Sequence, residues 1–64
     1  MCESNVYMIN KKGEKTLLLE SVDKIIPKDD TIFLENIFYV TKTVKARIVE
    51  MSLVEHHIVL QEND

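Results

Sequence analysis

An all-β fold is predicted for this sequence: a small antiparallel sheet, rolled up or closed into a barrel, of about six to seven short strands. Three features predict it. The apolar residues fall in short runs rich in β-branched and aromatic side chains, which fit a pleated, half-buried surface. A helical period is nowhere sustained. Polar segments with turn chemistry separate the runs, so that neighbouring runs pair as hairpins.

The first run is Val6 to Ile9 and the second is Leu17 to Leu19. Between them lies Asn10-Lys11-Lys12-Gly13-Glu14, whose glycine reaches the positive φ that a hairpin loop demands. Val22 to Ile26 reads either as an extended strand or as a short packed turn, with Pro27 expected to stop the ladder. After the polar turn Lys28-Asp29-Asp30, Ile32 to Leu34 and Ile37 to Val40 are predicted as a second hairpin turning at Glu35-Asn36. Val44 to Val49 is predicted as one more strand. Val49, Met51 and Leu53 alternate with Glu50 and Ser52, which predicts one face turned inward and the other in water. Glu55-His56-His57 interrupts, Ile58 to Leu60 forms a last strand, and Gln61 to Asp64 is a polar tail.

With 64 residues, the chain is expected to form one domain over positions 1–64. A domain this small hides only about 60% of the surface its unfolded chain exposes. Scaffolds of this size commonly add a disulfide, a metal or a second copy. One cysteine excludes an internal disulfide, and an apolar share of 45% is high for so short a chain. A homodimer is therefore expected, with part of the apolar surface meeting a second copy. The lone cysteine and the lack of a secretory leader pattern point to the cytoplasm. No apolar run approaches the roughly 20 residues needed to cross a bilayer. A net charge of −3 with dispersed basic residues is a poor footprint for nucleic acid.

Cys2 is the first candidate for chemistry. If Met1 is removed, the terminal amine and the thiolate of Cys2 belong to one residue and form a five-membered chelate ring. Such donors suit late first-row metals, with square-planar, nitrogen-rich sites typical of Ni(II) or Cu(II). In a two-fold dimer whose amino termini meet, symmetry doubles the set and places one ion on the axis. Ion uptake should depend on pH, because a thiol with an ordinary pKa of about 8.5 must lose its proton to bind. The plainer reading is a packed or unreacted thiol.

His56 and His57 are metal-ligand types, but neighbours on an extended segment point to opposite faces and do not converge on one ion. They are left out of the predicted site and are read as polar residues at a hairpin tip. A conventional enzyme is not expected: there is no Ser/His/Asp constellation, no glycine-rich phosphate loop and no CxxC pair. Asp29-Asp30 and Glu50 read as solvated turn or outward strand positions. Tyr7, Phe33, Phe38 and Tyr39 read as core residues. The alternative is a small RNA-binding β-barrel that stacks bases on Tyr7, Phe38 and Tyr39 beside Lys42 and Lys45.

A start of Met1-Cys2-Glu3 leading at once into a strand, the Lys12-Gly13-Glu14 hairpin, and a finish from Arg47-Ile48-Val49-Glu50 through Ile58-Val59-Leu60-Gln61-Glu62 together resemble the CooT family. The resemblance covers essentially the whole chain. It implies a small dimeric β protein that binds Ni(II) through the cysteine at position 2. It also implies an accessory role in maturing a nickel-containing carbon monoxide dehydrogenase. Cys2 is the residue carried over; the terminal amine and the amide of Glu3 are sensible co-ligands on chemical grounds. His56-His57 departs from the family pattern and leaves a second, weaker metal site open.

Overall fold

The computed structural model describes residues 3–64. They form six strands and no helix: β1 (Ser4–Ile9), β2 (Lys15–Lys28), β3 (Thr31–Asn36), β4 (Thr41–Val44), β5 (Ala46–Ser52) and β6 (His57–Glu62). All six belong to one sheet in the order β4-β3-β2-β1-β6-β5. The pairs are antiparallel except β1 with β6, which run parallel, with Val6 opposite Ile58 and Met8 opposite Leu60. The sequence predicts antiparallel pairing throughout; here the first and last strands meet in the middle of the sheet in the same direction.

The sheet is rolled but not closed by a hydrogen-bonded seam. β4 and β5 are its two edges, yet only Lys45 separates them in sequence. The chain therefore leaves one edge and enters the other within a single residue, which the sheet permits only by curling until its edges meet. The predicted strand Val44 to Val49 is corrected accordingly: Val44 ends β4 and Ala46 opens β5. Asn63 secures this corner. Its N–H donates to the Lys45 carbonyl (3.0 Å), its Nδ2 donates to the Asp30 carbonyl (2.9 Å), and its Oδ1 accepts from Arg47 Nη1 (3.1 Å).

The curvature comes from β2. At each of its three register shifts the extra residue lies on β2: Ser4 faces Val22 but Val6 faces Leu19, Tyr7 faces Leu17, and Val22 faces Asn36 while Lys24 faces Glu35. Such bulges bend a strand and increase its twist. Ser21, with φ 55°, sits at one of them. Beyond Ser4 no strand pairs with β2 on the β1 side, so Pro27 continues the strand opposite Ile32 instead of stopping it, because a proline without an N–H is tolerated at an edge.

The core fills the inside of the roll with Val6, Leu19, Val22, Ile32, Leu34, Ala46, Ile58 and Leu60, flanked by the partly buried Met8, Leu18, Ile25, Val44 and Ile48. Fully burying a side chain such as Leu34 or Leu60 contributes roughly 1.5–3 kcal/mol. The first hairpin forms as predicted, and Asn10 organises it. Its Oδ1 accepts the N–H groups of Lys12 and Glu14, and Gly13 has φ 85°.

The second hairpin differs from prediction. β3 runs on through Glu35 and Asn36, and the turn lies at 37–40. Asn36 is only 5% exposed, and its Oδ1 accepts from both the Phe38 and the Val40 N–H groups, at 2.9 and 3.0 Å. A buried side chain that holds two turn amides cannot also be the turn tip. Phe38 and Tyr39, predicted as core, therefore stand on the loop in solvent, Tyr39 85% exposed with φ 66°.

Replacing Asn36 by Ala strands those two N–H groups. The variant is expected to lose about 1–3 kcal/mol, read as a lower urea midpoint with the β-sheet circular dichroism retained in water.

Candidate functional site

Cys2, the predicted metal ligand, lies outside the described residues, so the site is followed from Glu3 onward. The backbone around Glu3 is fixed by Asn5. The Asn5 N–H donates to the His56 carbonyl at 2.9 Å, and the Asn5 side-chain Oδ1 accepts the Ser21 N–H at 3.1 Å. The Ser21 carbonyl in turn accepts the Ile37 N–H at 3.0 Å. One asparagine thus ties the start of β1 to the bend of β2 and the β5–β6 turn, and through Ser21 to the 37–40 loop.

Three residues of this end hold positive φ: Ser21, Tyr39 and His56. Each costs about 1–2 kcal/mol relative to ordinary backbone, a strain that the surrounding hydrogen bonds must outweigh. Between the tied segments lies an open cavity of about 370 Å³ lined by Glu3, Asn5, Ser21, Glu55 and His56. Its lining is mainly polar. The Oε2 atom of Glu3 is buried and has no hydrogen-bond partner among the described residues.

The two histidines do not share an extended segment: His56 ends the β5–β6 turn with φ 56°, and β6 begins at His57. His56 borders the cavity. His57 opens β6 on the outer face, with Nε2 3.5 Å from Glu50 Oε2 and Nδ1 3.5 Å from Glu55 Oε1. Its ring meets Tyr7 edge to face at 6.0 Å, and Lys15 Nζ lies 5.2 Å from the centre of the Tyr7 ring. Among the described residues no group of three or more His, Cys, Asp or Glu side chains is placed to hold a metal ion. A site here needs donors from Cys2 or from water.

The same end is apolar at its rim. Val49, Met51 and Leu53 are predicted to face inward, and the structure corrects this. A bulge between Ile48 and Glu50 takes Val49 out of the alternation. Met51 sits opposite Ile58, whose side chain belongs to the core, but among the described residues it is left uncovered over 52% of its surface. Leu53 and Val54, at the turn, are 77% and 91% exposed.

For the RNA-binding alternative, a stacking platform would need its aromatics on one face. Tyr7 is half-buried between His57 and Lys15, while Phe38 and Tyr39 project from a loop. Sequence reasoning named Glu3 for its amide and did not single out Asn5, Ser21 or Glu55, which line the cavity with it. The available signal was weak: Ser21 is a lone small polar residue inside an otherwise strand-like stretch.

The family model for the CO dehydrogenase accessory protein CooT matches residues 1–61. Among solved structures, the crystal structure assigned as CooT from Carboxydothermus hydrogenoformans matches with a TM-score of 0.87 and 41% identity, over 98% of this chain and 100% of that one. No curated protein matches the sequence at a significant level.

Asn5→Ala removes the acceptor for the Ser21 N–H while leaving the β1 backbone in place. The expected result is faster hydrogen exchange at Ser21 and Ile37 and a loss of about 1 kcal/mol in stability, with the exchange of Leu34 and Leu60 following only the global change.

Proposed function

The chain belongs to the CooT family of carbon monoxide dehydrogenase accessory proteins, and from that membership we propose that it carries Ni(II) for the maturation of such an enzyme, held by Cys2. The ion is the protein's cargo. Cys2 supplies a thiolate and, once Met1 is removed, an amine on the same residue; the Glu3 amide is a further donor. Thiolate and nitrogen donors match the preference of late first-row metals.

The observation that carries this reading is the anchoring at Asn5. It holds Glu3 at the rim of a polar cavity, and the Cα of Cys2 lies one peptide unit, about 3.8 Å, from that of Glu3. A ligand just outside an anchored strand can give up its ion without unfolding the core, as delivery requires. A cytoplasmic location fits, since thiols stay reduced there.

The reading includes a homodimer with one Ni(II) shared by Cys2 of both chains. The support for it is the exposed apolar rim: Met51, Leu53 and Val54 lie on the β5–β6 hairpin, whose turn is tied to the start of β1 by the Asn5–His56 hydrogen bond. A two-fold axis through that rim brings the two amino termini together.

Titrating the metal-free protein with Ni(II), followed by absorption and native mass spectrometry, is expected to give one ion per two chains and thiolate charge-transfer bands. Cys2→Ser should abolish both the bands and tight binding. Binding unchanged in that variant would remove Cys2 from the site.

For the dimer, Leu53→Asp places a charge on the rim at a position already in solvent in the single chain. Sedimentation should then show monomers with an intact fold and the shared stoichiometry lost; dimers of unchanged stability would move the interface elsewhere.

A further inference from the structure

A second apolar surface stands at the same end of the roll as Met51, Leu53 and Val54. It is the 37–40 loop, where Phe38, Tyr39 and Val40 are 66%, 85% and 47% exposed. The loop is not loose. All four of its amide N–H groups are bonded: Ile37 to the Ser21 carbonyl, Tyr39 to the Asn36 carbonyl, and Phe38 and Val40 to Asn36 Oδ1. Tyr39 is held in the left-handed region, a strain that clusters at functional sites. Apolar side chains presented on a fixed backbone lose little freedom when a partner covers them.

Hydrogen bonds across this end set the order of its parts. The Ile37 N–H reaches the Ser21 carbonyl, the Ser21 N–H reaches Asn5 Oδ1, and the Asn5 N–H reaches the His56 carbonyl. The start of β1 therefore lies between the two apolar surfaces, with the 37–40 loop on one flank and the β5–β6 turn on the other. We propose that the two copies of the homodimer meet in a crossed contact, in which Phe38, Tyr39 and Val40 of each chain cover Met51, Leu53 and Val54 of the other. A two-fold axis passing the start of β1, at right angles to the line from loop to turn, sets each loop on the other copy's turn, so the surface is complementary to itself.

The extent of the surfaces supports the crossed form. A stable interface covers about 800 Å² and about 20–30 residues a side, whereas the rim supplies three large apolar side chains. Each aromatic side chain adds about 150–250 Å² when buried. Joined rim to rim, the copies would leave Phe38 and Tyr39 in water; joined loop to rim, each copy uses both surfaces. The margins agree in charge. Lys42 follows the loop and Glu55 follows Val54, both exposed, so the crossed contact sets unlike charges side by side. The proposal rests on the homodimer reading, and it needs no ion.

The test uses the metal-free, full-length protein. Sedimentation first reads the dimer, and isotope-filtered nuclear Overhauser spectra of mixed labelled and unlabelled copies then read contacts between chains. Cross-peaks from the Tyr39 ring to the Leu53 and Val54 methyl groups are expected. Tyr39→Asp, at a position in solvent in the single chain, should weaken dimerisation about a hundredfold, a tenfold loss at each of two equivalent contacts. Tyr39→Lys and Val54→Glu should each weaken it as well. Combined in one chain they should regain about tenfold, because the crossed contact brings the two substituted positions together twice.

Cross-peaks between chains that omit Tyr39, dimerisation unmoved by Tyr39→Asp, or a double variant no stronger than the single ones would overturn the crossed contact and leave the homodimer standing. A dimer that forms only with Ni(II) bound would also overturn it, since the ion and not these surfaces would then join the copies. Monomers under every condition would remove the homodimer reading, and the crossed contact with it.

Discussion

The structure depends on one constraint of connectivity. The two edges of a six-stranded sheet are joined by a single residue, Lys45, so the sheet cannot lie flat. A flat sheet with neighbouring strands about 4.8 Å apart would separate β4 from β5 by several strand spacings, far beyond what one residue spans. Everything else accommodates this requirement. The bulges on β2 supply the bend, Asn63 pins the corner, and β3 comes to pack against β5 across the inside of the roll. The core is the inner surface so formed, and its small size follows from how tightly the sheet must curl.

The sheet order also decides where β1 begins. β1 lies in the middle of the sheet order, between β2 and β6, so its first residues emerge between two ladders and not at a free edge. Asn5 bonds to both sides, to His56 through its backbone and to Ser21 through its side chain. The strand that follows Glu3 is therefore held firmly from both sides.

The apolar residues that the roll leaves outside belong to the same logic. A sheet curled around so small a core has an inner surface that its own strands cannot cover completely, and Met51 marks the uncovered end. Leu53 and Val54 extend that surface over the turn. An apolar rim beside the start of β1 is a hazard for an isolated chain. In the homodimer proposed above, that rim is the contact between the two copies.

The sequence by itself determined the all-β class, the Asn10-Gly13 hairpin and the family resemblance. The first two rest on what residue types do locally: β-branched side chains favour extended backbone, and glycine allows positive φ. Only the tertiary structure decided the parallel β1–β6 pair, the corner at Lys45, the exposure of Phe38, Tyr39 and Met51, and the gathering of Glu3, Asn5, Ser21, Glu55 and His56. The physical reason is twofold. Bulges on β2 and β5 break the two-residue alternation from which facing is read, so inward and outward positions cannot be counted along those strands. The cavity, in turn, is made of segments far apart in sequence that meet only because the sheet must roll to bring its edges to Lys45.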